Sequence, residues 1–207
     1  MTTLALSIEA SADDVYLFND TTFQTTRQVH NIGNVGGVVK KAAHRWSIAI
    51  PAGAIVSNAT LINVASSDAS AETVRTNLAL EQVDNAGQIA DIAAFTARLG
   101  NIGGVVAWDS IPMWVTGASY ASPDLSSIFQ AIIDRPGWAS GNAVQLFWVD
   151  NGSDVNAYRN AASWDNTIFA HPLLTIEYTE GGGGGGIPHP VVGSGIINSR
   201  AIVRGAA

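Results

Sequence analysis

Two aspartates and an asparagine fall within the five-residue segment Asp150-Asn151-Gly152-Ser153-Asp154. Carboxylate and amide oxygens are the ligands that Ca²⁺ prefers, so Asp150 and Asp154 are the acidic candidates for a metal site. The segment lacks the spacing of an EF-hand loop and its closing bidentate glutamate. Asn-Gly is also typical of a tight hairpin turn, which is the interpretation we prefer.

Other residue types that support catalysis or metal binding are sparse. The four histidines follow no metal-ligand spacing, and no Gly-x-Ser-x-Gly, Walker or dinucleotide-binding glycine pattern occurs. The chain has no cysteine, which excludes disulfides, thiol catalysis and cysteine-based zinc sites. We therefore expect a protein that is not an enzyme and that carries no cofactor.

Six tryptophans are the remaining side chains with a strong binding chemistry. An exposed indole can stack on a sugar ring, and Trp138 and Trp164 are the candidates for such a carbohydrate-binding role. In a β-rich protein, tryptophans on alternating strands mostly fill the core or an interface. For Trp138 we prefer the core position, because the neighbouring Gly137 and Gly141 suit a sharp corner.

The charge distribution limits the classes of partner. Charged residues make up 13% of the chain, against about a quarter in typical soluble proteins. The net charge is −7, and all 17 acidic residues lie at or before Glu180. An acidic body is a poor ligand for phosphate backbones, so we expect no nucleic-acid partner. No apolar run approaches the roughly 18 residues of a membrane span, and the first residues do not form a signal peptide.

Most of the chain shows the two-residue alternation of half-buried strands. It predicts strands at 4–10, 14–18, 45–50, 59–64, 74–83, 143–149 and 173–178, and two short strands around Pro112 within 107–115. Asn151-Gly152 predicts a hairpin turn between the last two strands. Helices are predicted at 89–97 and after Ser122, which would be the N-cap, with Pro123 in the first turn. Many short strands with one or two helices predict an all-β jelly-roll sandwich.

Four segments resemble jelly-roll modules of the disaggregatase-related, carbohydrate-binding-like type. They are SPDL at 122–125, RPGWASGN at 135–142, IPAGAIVSNATL at 50–61 and PLLTIEY at 172–178. The resemblance covers most of residues 45–178. It implies a jelly-roll fold and leaves the function open, because one fold hosts many functions.

A run of six glycines at 181–186 separates the body, residues 1–180, from the C-terminal arm, residues 187–207. Polyglycine is a flexible tether. The arm has no acidic residue, is rich in β-branched residues, and alternates loosely enough to add as a strand to a neighbour's sheet. The residues predicted to bind a partner are Ile187, Val191, Val192, Ile196, Ile197, Arg200, Ile202, Val203 and Arg204.

The tether and its closing peptide resemble the C-termini of tailed-phage virion proteins. Together with the low charge, this predicts a non-enzymatic virion protein, synthesised in the host cytoplasm, that forms homo-oligomers. The preferred role is a capsid decoration protein that also binds the major capsid protein, with a tail or fibre component as the next choice. The alternative function is a carbohydrate-binding, receptor-recognition module on a phage fibre or a cell surface.

Overall fold

The fold is all-β, built from thirteen strands and two short helices within the residues that the computed structural model describes, 1–69 and 71–181. Alternating apolar and polar residues place one face of most strands inward. The strands are β1 Thr2–Ser7, β2 Asp14–Leu17, β3 Phe23–Gln24, β4 Val29–Val35, β5 Val38–Val39, β6 Lys41–Ser47, β7 Ile55–Val64, β8 Val74–Glu81, β9 Ile102–Ile111, β10 Ser119–Ala121, β11 Ala143–Asp150, β12 Tyr158–Ala162 and β13 Leu173–Thr179. The helices are α1 Ile92–Leu99 and α2 Ser126–Ile133.

The strands form antiparallel sheets of four, six and three strands. The four-stranded sheet has the order β1-β13-β7-β10, and the six-stranded sheet has the order β3-β2-β6-β11-β8-β9. The three-stranded sheet, β12-β4-β5, contributes Ile32 and Ala161 to the same main core as the other two sheets. Such packed antiparallel sheets fit the predicted jelly roll.

Both faces of the six-stranded sheet are covered. In β11, Leu146 and Trp148 face the main core, while Phe147 faces a second cluster on the other side. Helix α1 closes that second cluster with Phe95, whose ring meets Phe147 edge-on at a centroid distance of 5.3 Å. Asp91 caps the helix, because its carboxylate accepts the N–H of Ala94 at 2.8 Å.

The all-β fold class is confirmed, and three local predictions are wrong. β9 is one long strand that ends at Ile111, so the two short strands around Pro112 do not form. The Asn151-Gly152 turn exists, but β11 pairs with β6 and β8 and the next strand pairs with β4, so no hairpin results. Ser122 does not cap α2, because its hydroxyl accepts the N–H of Leu61 on β7.

Candidate functional sites

Trp138 lies in the core at the corner between α2 and β11. Its side chain is 4% exposed, and its indole N–H donates to the carbonyl of Ile50 at 2.9 Å. A ring in this position has no face open to a sugar. The core position preferred from sequence is the one that the structure shows.

Trp164 is only partly buried. Its ring meets His171 at a centroid distance of 4.6 Å and an angle of 61°. Of the two tryptophans predicted to bind sugar, it is the one that keeps some accessible surface. Its backbone N–H points inward and donates to the Asp14 carboxylate.

The acidic loop after β11 is held by protein donors. The Asp150 carboxylate accepts the N–H of Gly152 at 3.0 Å, and Gly152 has a positive φ of 78°. Asp154 pairs with the Arg75 guanidinium at 3.1 Å. The two carboxylates therefore serve a turn and a surface ion pair, although this turn does not form the predicted hairpin.

The predicted partner-binding residues of the C-terminal arm lie outside the described residues. The structure does describe Gly181, the first residue of the glycine run. Gly181 follows the end of β13 and packs so closely on the turn after Pro51 that a Cβ at this position would overlap the carbonyl oxygen of Gly53. The glycine run therefore begins beside that turn.

A cluster of Asp14, His30 and His44 lies in the main core, and no sequence pattern predicted it. Asp14 and His44 are direct cross-strand neighbours on β2 and β6, and His30 reaches them from β4. The Asp14 Oδ1 atom lies 3.0 Å from His44 Nε2 and 3.4 Å from His30 Nδ1. The three ligating atoms all lie within 4.8 Å of one another, and each residue is 1% exposed.

Aromatic rings hold the cluster from both sides. The His30 ring stacks on Tyr16 at 5.0 Å between centroids and lies 5.7 Å from the ring of His44. Trp46 meets His44 edge-on at 5.7 Å. These neighbours restrict both imidazoles to the positions in which they face Asp14.

Burial and mutual contact shift the acid–base properties of the cluster. Burial lowers the pKa of His30 to about 4, against an opposing effect of Asp14. Burial raises the pKa of Asp14, but the two imidazoles and the Trp164 N–H outweigh it and bring the value to about 2. At neutral pH the cluster therefore holds a carboxylate beside a neutral His30.

The only sequence signal for this cluster was the presence of polar residues at inward positions. Asp14 and Tyr16 share one face of β2, and His44 and Trp46 share one face of β6. Burying a charged or polar side chain at such an inward position costs folding free energy unless a hydrogen-bond or ion-pair partner satisfies it. Alternation alone does not say that the three positions meet.

A second candidate site is the β1 edge, the side of strand Thr2–Ser7 that faces away from β13. In the described part of the chain β1 pairs with β13 alone, in a regular register from Thr2 opposite Tyr178 to Ser7 opposite Leu173. The strand contains no charged residue and no proline. Its edge therefore presents a row of unpaired backbone N–H and C=O groups.

The other edge of the same sheet is covered. β10 is three residues long, and the segment after it bonds to the rest of β7. Ser122 Oγ accepts the N–H of Leu61 at 3.0 Å, and Asp124 Oδ1 accepts that of Ala59 at 2.9 Å. In the six-stranded sheet, β3 has two residues and β9 carries two register shifts. Short, bulged or covered edges resist pairing with other chains, and β1 has none of these protections.

The outer face of the four-stranded sheet continues the uncharged surface of the β1 edge. Alternation turns Thr3, Ala5 and Ser7 outward on β1, next to Thr175 and Glu177 on β13. Across β7 and β10 the outward residues include Ile55, Ser57, Asn58, Thr60, Ile62, Val64, Ser119 and Ala121. Glu177 is the one ionisable side chain among these outward positions.

No helix within residues 1–69 and 71–181 has the length and apolar character needed to cross a membrane.

Comparison with known proteins gives no family. No protein-family model matches the chain, and no curated protein matches it. Among solved structures, the enzymatically active domain of tailspike protein 4 from bacteriophage CBA120 aligns with 86% of this chain at 11% identity and a TM-score of 0.27. This chain spans only 19% of that domain. A likeness at this level carries no argument about fold or function.

Proposed function

We propose that this chain is a non-enzymatic structural protein of a tailed-phage virion, a capsid decoration protein that docks through its C-terminal arm. The observation that supports assembly is the β1 edge, six uncharged residues whose outer side has no strand partner among the described residues, beside a nearly uncharged sheet face. Exposed edges of this kind pair with other strands, and soluble proteins usually protect them. Its presence suits a protein whose edge is covered in an assembly.

We propose that the strand added to the β1 edge is the arm of a neighbouring copy. The segment Ile196–Arg204 alternates well enough to pair as a strand, and an added strand gains main-chain hydrogen bonds. The residues between Gly181 and Ile196 can span up to roughly 45 Å when extended, enough to reach an adjacent body. Each copy would hold its arm near its neighbour, which raises the effective concentration of the docking peptide.

Charge supports the same pairing. Arg200 and Arg204 are the charges of the proposed strand, and Glu177 lies directly beside β1, opposite Thr3. An arginine on the outer face of an added strand would approach this carboxylate. The contribution is small at an exposed position, so the main-chain bonds carry most of the proposed affinity.

The proposal is tested by ending the chain after Gly181. The truncated protein should keep the circular dichroism spectrum and unfolding midpoint of the full chain, because β13 already has partners on both sides. Light scattering after gel filtration should show oligomers for the full chain and monomers for the truncated one. Equal oligomeric states would overturn docking through the arm.

A synthetic peptide of residues 187–207 tests the same contact directly. Fluorescence anisotropy should show saturable binding of the labelled peptide to the truncated body, and a scrambled peptide of the same composition should not bind. A full chain whose mass stays that of a monomer at all concentrations, with the peptide binding the body, would place the contact within one chain and contradict docking between copies.

The virion position is tested by immunogold labelling of particles with an antibody raised against residues 1–181. Gold on the heads is expected. Gold on the tails alone would overturn the decoration role but leave the docking mode in place. Unlabelled virions would overturn the virion assignment.

The second candidate function, carbohydrate binding, is favoured by one observation. Trp164 keeps accessible surface beside His171, and an indole next to an imidazole can stack on a sugar and bond to its hydroxyls. A glycan array with the full chain, with and without Ca²⁺, tests this role. Binding that disappears in Trp164→Ala would support it, and an array without signal in both conditions would remove it.

A further inference from the structure

The donor set of Asp14, His30 and His44 has the chemistry and spacing of a metal site. Ligands about 2.0–2.2 Å from a tetrahedral Zn²⁺ lie roughly 3.3–3.5 Å from one another. The Asp14 Oδ1 atom is 3.4 Å from His30 Nδ1 and 3.0 Å from His44 Nε2. All three ligand atoms lie within 4.8 Å of one another, so they converge on one small volume that could hold an ion.

Four buried polar atoms of the cluster have no hydrogen-bond partner among the described residues. Asp14 Oδ1 and His44 Nε2 are 3.0 Å apart, yet neither makes a hydrogen bond with suitable geometry, and His30 Nε2 and His44 Nδ1 also lack one. All three residues are 1% exposed. Buried polar groups without partners are rare and costly. One ion bound by Asp14 Oδ1 and His44 Nε2 would satisfy these two atoms.

The Asp14 carboxylate is oriented toward the two imidazoles. The groups within ion-pair distance of the Asp14 carboxylate are the two imidazoles. The backbone N–H of Trp164 donates to Oδ2, which orients the carboxylate and leaves Oδ1 directed at the histidines. A hydrogen bond that fixes the other oxygen of a ligating carboxylate is typical of metal sites.

We propose that Asp14, His30 and His44 bind one divalent transition-metal ion, with Zn²⁺ as the expected ion, inside the main core. Two imidazoles and one carboxylate suit Zn²⁺ and its neighbours, whereas Ca²⁺ and Mg²⁺ prefer oxygen ligands. Water would complete the coordination, since no fourth ligating side chain joins the group within the described ranges. The ion would tie β4 of the three-stranded sheet to β2 and β6 of the six-stranded sheet. This role is independent of the proposed virion function.

Because the site is buried, the ion would enter as the chain folds. The test therefore unfolds the full chain in denaturant with EDTA, and refolds it with EDTA, Zn²⁺ or Mg²⁺. After dialysis, elemental analysis should find about one zinc per chain. The zinc-refolded protein should melt at least about 5 °C above the EDTA-refolded protein, and Mg²⁺ should give no shift.

Variants assign the ligands. His30→Gln and His44→Gln should each weaken zinc binding more than tenfold and remove the zinc-dependent shift in melting temperature. His171→Gln is the matched control, because this histidine lies beside Trp164 rather than in the cluster, and it should bind zinc as the unsubstituted chain does. Equal binding by all three variants would overturn the site.

Imidazole NMR signals of the unsubstituted chain decide the case even if the variants fail to fold. Zinc should shift the ring resonances of His30 and His44 and leave that of His171 unchanged. A refolded chain that retains less than about one tenth of a zinc ion per molecule at micromolar free Zn²⁺ would overturn the proposal.

Discussion

Trp138 illustrates how an aromatic side chain that suits ligand binding can serve packing instead. Its burial at the α2–β11 corner and its bond to the Ile50 carbonyl make it part of the core. Trp138→Ala should lower the free energy of unfolding by about 3–5 kcal/mol, because it leaves a cavity and an unpaired carbonyl. Urea denaturation measures this loss. The free energy of unfolding of Trp138→Phe should lie between those of the unsubstituted chain and of Trp138→Ala. A loss below about 1 kcal/mol for the alanine variant would contradict the core role.

Glu81 is a buried acid whose ionisation opposes folding. It is 7% exposed, its Oε2 atom lacks a hydrogen bond, and Arg98 lies 3.7 Å away. Burial raises the pKa of Glu81 above its ordinary value of 4.5, and Arg98 only partly offsets this. A raised folded pKa means that the native state holds the proton more tightly, so this residue's contribution to stability falls as pH rises above 4.5.

Glu81→Gln should therefore raise the unfolding midpoint at pH 7 by roughly 2 °C, with a much smaller gain at pH 4. Thermal unfolding at both pH values measures the difference. Asp20→Asn is the control, since Asp20 lies in an exposed ion pair with Lys41 and should give little change. A gain that is larger at pH 4 than at pH 7 would show that the assigned sign is wrong.

β1 is the strand that we propose pairs with the arm of a neighbouring copy. Ala5→Lys places a charge on its exposed outer side, the device by which natural edge strands avoid pairing. It should lower the affinity for the peptide of residues 187–207 at least about tenfold, which corresponds to a loss of about 1.4 kcal/mol of binding free energy. The unfolding midpoint should change by less than about 2 °C, because the position is exposed.

Ala97→Lys is the matched control for this charge. Ala97 is exposed on helix α1, which covers the six-stranded sheet rather than the four-stranded one. Anisotropy titrations of both variants in the truncated body make the comparison. Equal affinities would show that the peptide does not bind at the β1 edge.

At the scale of the fold, one sheet joins two apolar clusters. The six-stranded sheet faces the main core on one side and Phe95 of α1 on the other. Because the same strands carry both clusters, the body should unfold in one transition. Phe95→Ala should lower the free energy of unfolding by about 3–4 kcal/mol while the tryptophan fluorescence and far-ultraviolet circular dichroism curves remain superimposable. Separate transitions by the two probes would show that α1 and its cluster unfold independently.

Local alternation was sufficient to predict the all-β class and most of the strands. β7, β8, β11 and β13 lie within a few residues of their predicted positions, because a strand with one buried face must alternate wherever it lies. β4, β5 and β12 were not predicted. β4 and β12 carry polar residues and pair with each other although they are far apart in the chain, and β5 is only two residues long.

Local sequence by itself determined the strand-forming body, the scarcity of charge, the absence of cysteine, and an arm that is chemically unlike the body. Tertiary structure decided which residues meet. Ser122 bonds to β7 instead of capping α2, Trp138 is enclosed, and Asp14, His30 and His44 converge from three strands. The physical reason is that hydrogen bonds and burial between distant segments outweigh local preferences. Alternation indicates which side chains of a strand face inward, but not which residues of other strands they will contact.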